Sequence, residues 1–454
     1  LESSITENLT LNAAINYKRL KSHSFAEIID MLGSNTGYLN VDSFDQVQFD
    51  LQNPDLVVGK GDTFRYNYNI EANVLSGFAQ AQFKYNKIDF FLAGSYTATE
   101  YQREGLYQTE TYANNSFGKG RKLSFDGIGT KGGFTYKFSG KHIFNVNAGY
   151  ITKAPSIRNT YTNSRENHAI VGDITGVDIT EEKITSFDAN YVFRSSSVKA
   201  RLTGYYTKME DANEISFYFA DGISGVDEGT AFVQEILQGI DKSHMGIEFG
   251  MEAQVTPTIK LTGVASIGQF TYDNNPNLVL TSSDFVEGLN FGESNLKDYR
   301  IAAGPQQAAS VGFEYRDPNY WWFGTTANFF SNTYVDVSPL TRTQNFYLDT
   351  DGLPFNNYEP DLARELLRQE RFDDYMVVNA IGGKSWKIGD KYISLFVSLN
   401  NIFNKKFKSG GFEQGRSANY QSLQEDSQNP KRVFGPKYWY GRGPTYFLNL
   451  NYRF

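Results

Sequence analysis

Several groups of residues in this 454-residue chain are of types that could do chemistry, and their spacing decides what each can be. Gly127-Ile128-Gly129-Thr130-Lys131-Gly132 matches the glycine pattern of a dinucleotide-binding turn. Such a turn needs a strand before the glycines and a helix after them. Here Phe134, Tyr136 and Phe138 alternate with Thr135 and Lys137 as a strand, so the glycines are expected at a loop end entering it. None of His23, His142, His168 and His244 has a histidine partner at i+2 or i+4, so no zinc motif is present. His244 and Glu248 are four apart, which on a strand places both on one face and suits a wet interior. Aspartates and glutamates are plentiful enough to pair as acid and base, but none stands in a recognisable motif. With no Cys in the chain, a disulfide scaffold, a thiolate metal site and a Cys nucleophile are excluded. The expectation is a protein without catalysis, cofactor or metal.

Binding chemistry is better supplied. Near the C-terminus, Lys431, Arg432, Lys437, Tyr438, Trp439, Tyr440 and Arg442 set aromatics beside cations. Such a set can stack sugars or hold anions, and it equally suits an aromatic belt at a membrane interface. Residues 360–370 read as a helix, with Pro360 early, acids in the first turns and leucines four apart. That helix is expected to pack over neighbouring loops; a lid or a contact for a partner is the functional alternative. Residues 161–180 and 274–290 are further loops that could line a vestibule.

The elements that must position these residues are strands. Odd positions from 245 to 255 are apolar (Met245, Ile247, Phe249, Met251, Ala253, Val255) and alternate with Glu248, Glu252 and Gln254. A tilted strand needs about 9–11 residues to cross a bilayer. Thr256-Pro257-Thr258 turns this strand into another over 259–272. The same unit recurs around Ser139-Gly140-Lys141, Ser195-Ser196-Ser197, Asp317-Pro318-Asn319, Asn86-Lys87 and Gly389-Asp390, with the strands after these turns expected over 142–152, 198–206, 320–335, 88–103 and 392–408. Six hairpins, a lone strand over 5–18 and a last strand over 446–454 give about 14 strands. Tight turns alternate with long connections, as in outer-membrane barrels with short periplasmic turns and long extracellular loops. High aromatic content, 15% of the chain, suits strands and interface girdles. No run of 18 apolar residues exists, and the net charge of −8 argues against a nucleic-acid partner. The start at Leu1, without Met or a signal-like apolar stretch, reads as a mature or truncated chain. In the last strand Tyr446, Leu448, Leu450, Tyr452 and Phe454 share one face, an apolar, aromatic-ended pattern of the kind outer-membrane assembly machinery (BAM) reads.

Motifs add a resemblance. Residues 398–407, Ser-Leu-Asn-Asn-Ile-Phe-Asn-Lys-Lys-Phe, resemble the penultimate strand of TonB-dependent receptors. Gly441-Arg442-Gly443-Pro444-Thr445-Tyr446-Phe447 through Tyr452-Arg453-Phe454 resembles their ending. Gly149-Tyr150-Ile151-Thr152-Lys153-Ala154-Pro155-Ser156, Glu181-Glu182-Lys183-Ile184-Thr185-Ser186-Phe187 and His244-Met245-Gly246-Ile247-Glu248 resemble three of their strand boundaries, in the family's order. The chain is therefore identified as similar to the C-terminal barrel portion of Bacteroidetes-type (SusC/Oar-like) TonB-dependent transporters. The resemblance implies an all-β, antiparallel transmembrane barrel, of which residues 1–454 supply about 14 of 22 strands while the plug lies outside this chain. It also implies active uptake of a glycan, peptide or ferric siderophore across the outer membrane of a Gram-negative cell. The implied partners are outer-membrane lipids, the TonB–ExbB–ExbD complex acting through the plug, and a SusD-like surface lipoprotein. A passive 14-stranded channel and a structural subunit of a surface assembly or secretion complex are the alternatives.

Overall fold

A computed structural model describes residues 2–43, 46–226, 229–282, 285 and 288–454. Among the described residues, eighteen strands join one sheet, with every neighbouring pair antiparallel. Setting aside the short Glu2–Thr6, Gly118–Lys119, Asn277–Ser282 and Leu289–Glu293 leaves fourteen that run as a meander. They are β1 (Leu9–Glu27), β2 (Thr63–Lys84), β3 (Ile88–Gly105), β4 (Leu123–Lys137), β5 (His142–Lys153), β6 (Glu182–Arg194) and β7 (Val198–Ala220). β8 (Ala231–Gln254), β9 (Ile259–Tyr272), β10 (Gln307–Asp317), β11 (Trp321–Ser331), β12 (Tyr375–Ile388), β13 (Lys391–Asn400) and β14 (Thr445–Arg453) complete it.

Register is continuous, because a slip of one residue would turn an apolar set onto the polar face. Leu202 pairs with Phe249, Phe249 with Ala265, Ala265 with Ala309, Ala309 with Phe329 and Phe329 with Met376. At the far edge Leu399 meets Tyr446 and Val397 meets Leu448 on that same face. The opposite face is polar: Thr203 lies across from Glu248 and Glu248 from Ser266. Glu314 there binds Lys260 at 3.6 Å and Arg316 at 2.6 Å. The apolar side chains have no second layer of the chain to pack on, and Ile247 and Val311 are 59% and 68% exposed.

The two ends differ. At one, tight turns are bordered by ring pairs such as Phe83–Phe90 at 4.5 Å, Tyr136–Phe138 at 4.6 Å and Tyr315–Trp321 at 5.1 Å. Amphipathic rings in a row along one rim suit a membrane interface. At the other end long connections fold on themselves and hold the buried core. Val233, Leu237, Ile240, Leu278, Leu280, Leu296 and Leu340 form its centre, each 3% exposed or less.

Several expectations need correction. The lone strand over 5–18 is two strands: Glu7 and Asn8 turn Glu2–Thr6 back along β1, whose own length runs to Glu27. The connection expected after Tyr206 is largely strand. β7 and β8 stay paired to Ala220 and Ala231 because Ile215, Phe217 and Phe219 continue the alternation past a bulge at Asp211, whose φ is +61°. Strands expected over 320–335 and 392–408 stop at Ser331 and Asn400. The Gly127–Gly132 run is no loop end but the middle of β4, and a Cβ on Gly129 would lie 2.4 Å from Ser95 Oγ. The helix expected over 360–370 is Pro360–Leu366. It ends where Gln369 turns away to donate to the Arg300 and Val335 carbonyls at 2.8 and 2.9 Å. The loop over 274–290 contains two short strands, and its residues 283, 284, 286 and 287 lie outside the described residues. Among the described residues, no pairing joins Glu2–Thr6 to β14, so the sheet has two edges.

Candidate functional site

Four connections build the long-loop end above β7–β13: the tip of the β7–β8 hairpin, residues 273–306, residues 332–374 and residues 401–444. Backbone polar groups in such loops must be satisfied by other loops once water is excluded. Asn345, fully buried, does this for three of them: its Oδ1 accepts from the Ser224 amide at 2.8 Å and its Nδ2 donates to the Ala418 carbonyl at 3.0 Å and the Gly222 carbonyl at 3.2 Å. Arg342 is buried beside it, donating to Glu413 Oε1 at 3.0 Å and the Leu367 carbonyl at 2.8 Å. Arg416 pairs with Asp221 at 2.6 Å, tying the last connection to the hairpin tip. The helix Pro360–Leu366 packs over these loops, with Ala363 buried against Phe346 and Tyr420.

Two adjoining cavities of about 660 and 700 Å³ result, and Glu413, Gln414 and Phe434 line both. The 660 Å³ cavity is acidic and aromatic: Glu214, Glu235, Asp336 and Glu413 line it together with Tyr218, Tyr272, Phe412 and Trp439. Glu235 is 4% exposed and accepts a hydrogen bond from Tyr218 Oη at 2.6 Å. Burial pushes its carboxyl up to about 7, against the pull of Tyr218 and the Leu340 amide and with the push of Glu214 and Asp336. Burial first, then the Glu214 charge, pushes Asp336 up to about 6. Glu214 is paired with Lys242, and Glu413 with Arg342. The 700 Å³ cavity carries mixed charge from Glu365, Arg368, Glu370, Arg371 and Arg432.

The residues expected to bind ligand separate here. Trp439 lines the acidic cavity, 5.6 Å from Phe412, and Arg432 lines the other while binding Asp426 at 3.0 Å. Tyr438 donates to Glu370 at 2.6 Å and stacks under the Lys408 ammonium at 3.5 Å. Lys431, Lys437, Tyr440 and Arg442 line neither cavity and are exposed. Tyr446, Leu448, Leu450 and Tyr452 lie on β14 with the apolar face outward, and Phe454 follows it, 94% exposed. Sequence reasoning missed Glu235, Asp336 and Tyr218; the signal for Tyr218 was the alternation from Ile215 to Phe219, which runs beyond a membrane-spanning length.

The four histidines are dispersed. His23 meets Asn67 at 2.7 Å, His142 meets Tyr191 at 2.6 Å and His244 stacks on Phe270 at 4.7 Å. His168 meets the buried Arg103 at 3.0 Å, and Arg103 also reaches the Ser164 and Ser116 carbonyls at 2.7 and 2.9 Å. Burial lowers Arg103 to about 10, and burial and then that guanidinium hold His168 below its ordinary value. Among the described residues, no group of three or more His, Asp or Glu side chains is placed to hold a metal ion. Nor is any helix long and apolar enough to cross a membrane, which says nothing of strands.

Solved structures of similar fold include receptors and a transporter. The siderophore receptor PiuA from Acinetobacter baumannii superposes with a TM-score of 0.59 at 11% identity, covering 100% of this chain and 54% of that one. The copper transporter OprC gives 0.58 at 12% identity, covering 98% and 54%. The ferric-catecholate import receptor Fiu from K12 E. coli gives 0.54 at 11% identity, covering 99% and 53%. The chain thus spans about half the length of these proteins. No curated protein sequence matches it. The family model for the TonB dependent receptor-like β-barrel matches residues 3–402, and the chain belongs to that family.

Proposed function

We propose that the chain is the C-terminal part of the barrel of a TonB-dependent importer, which takes up a bulky nutrient (a glycan, a peptide or a ferric siderophore) across the outer membrane. The observation that carries this reading is the asymmetry of the sheet. One rim is bare turns and aromatic rings, while the other bears folded loops around two cavities. Loops confined to one rim supply a recognition surface facing outside. The apolar face meets lipid and the polar face lines the lumen. Two unpaired edges support a larger barrel, since hydrocarbon offers an open edge no hydrogen bonds and further strands would close it. A 22-stranded barrel needs a plug, and the motifs favour Bacteroidetes-type relatives, some of which act with a SusD-like lipoprotein.

A ligand can shift a packed plug only by its differential affinity for the two plug states. The remaining work comes from TonB with ExbB and ExbD. Surface binding of labelled ligand should therefore persist without TonB, while uptake needs TonB and the proton-motive force. Uptake at full rate in cells lacking TonB points to a passive channel instead. No uptake in any condition, with constant co-purification in a larger complex, points to a structural subunit.

A further inference from the structure

The geometry points to an organic cation, a ligand bearing an ammonium or guanidinium group beside an apolar body, as the occupant of the 660 Å³ cavity. This rests on the importer reading and names the chemistry of its ligand. Within the cavity, Glu235 is more than nine-tenths buried, and the hydrogen bonds it accepts come from neutral donors, Tyr218 Oη and the Leu340 amide. Asp336 opens onto the same space. The cations around them are committed elsewhere: Lys242 to Glu214, Arg342 to Glu413 and Arg416 to Asp221. Among the described residues, no Lys or Arg forms an ion pair with Glu235 or Asp336. Glu235, so placed, is costly to ionise until a positive charge joins it, and Asp336, exposed to the same space, adds a second carboxyl.

Size and wall composition narrow the class. The described carboxylates are not grouped as a metal ion requires. A cavity of 660 Å³ lies in the range of small-molecule sites. Phe412 and Trp439, whose rings lie 5.6 Å apart, offer faces that attract a cation and cover an apolar body. An anionic ligand would meet Glu235 and Asp336 without cations of their own, while Glu214 and Glu413 are paired and the lining guanidinium of Arg416 is held by Asp221.

The sign of the pH dependence follows. The groups facing the cation are Glu235, Asp336, Glu214 with Lys242, Glu413 with Arg342, Arg416 with Asp221, and the hydroxyls of Tyr218 and Tyr272. Of the carboxyls without a cation, the buried Glu235 is held up to about 7, so affinity rises from pH 5 to pH 8.

Calorimetric titration of the full-length protein in detergent tests this with a matched pair, phenethylamine and 2-phenylethanol. At pH 8 the amine should bind about ten- to a hundredfold tighter than the alcohol, and the preference should shrink at pH 5. Glu235→Gln with Asp336→Asn should remove most of the preference, provided heat-modifiable gel mobility shows the variant folded. The pH comparison on the unaltered protein needs no variant. Equal affinity for amine and alcohol at pH 8, or a preference unchanged at pH 5, overturns the assignment. A preference that survives in the folded double variant also overturns it. None of these binding measurements involves TonB, so failure here leaves the uptake test untouched.

Discussion

The spanning sheet and the loop end are held together by different means. Around Phe249 and Val311 the chain is one layer thick, and apolar side chains project from it with no core behind them. Around Leu280 and Leu340 the same chain builds a closed apolar cluster. The first region relies on backbone ladders and on a solvent that accepts apolar groups; the second supplies its own interior, as a soluble domain does. The comparison teaches that hydrophobic residues on show in one half do the task that hidden ones do in the other.

Four changes break or sharpen that comparison. Arg342→Met strands Glu413 without its cation in the loop interior and should cost about 3–5 kcal/mol. Limited proteolysis should then cut the loops while the strands stay resistant; an undisturbed loop end would show the pair to be dispensable. Phe249→Arg on the apolar face should cost about 2–4 kcal/mol near the bilayer midplane. Glu248→Gln on the other face should cost far less, and folding titrations in lipid vesicles that reverse these costs would refute the register.

The third concerns pH. Glu235 binds its proton more tightly folded than unfolded, so its contribution is fully present below about 4.5 and fades as pH rises through about 7. Between these values the loop end should lose on the order of 1 kcal/mol per pH unit, while the strands should not respond. Glu235→Gln should flatten the slope in hydrogen-exchange measurements of the loops; an unchanged slope would assign it to other groups. The smallest effect is expected from deleting Phe454, which should reduce the folded fraction in the outer membrane without altering synthesis. Gel mobility of membrane fractions reports this, and equal folded amounts would remove Phe454 from the assembly signal.

Much of the spanning half was readable from residue order, because a strand's face depends only on parity. Met245, Ile247 and Phe249 declare their side without reference to any distant residue. The first hairpin was not readable: Glu7-Asn8 is a weak turn signal inside a continuous polar and apolar mixture. The loop end was harder for a different reason. Glu235 comes from β8, Asp336 and Trp439 from separate connections, and only tertiary folding brings them to one cavity. The motif over 398–407 shows an intermediate case. Asn401 is buried and donates to the Lys405 and Arg442 carbonyls, both at 3.0 Å, so a recognisable string is a turn that pins two strand ends.

Asn345 has one more consequence. Its single amide fastens Gly222, Ser224 and Ala418, which lie on two connections other than its own. Together with the Arg342–Glu413 and Arg416–Asp221 pairs it makes one body of three connections, so none of these loops can loosen without disturbing the other two. Cutting that stitch would let each loop breathe alone.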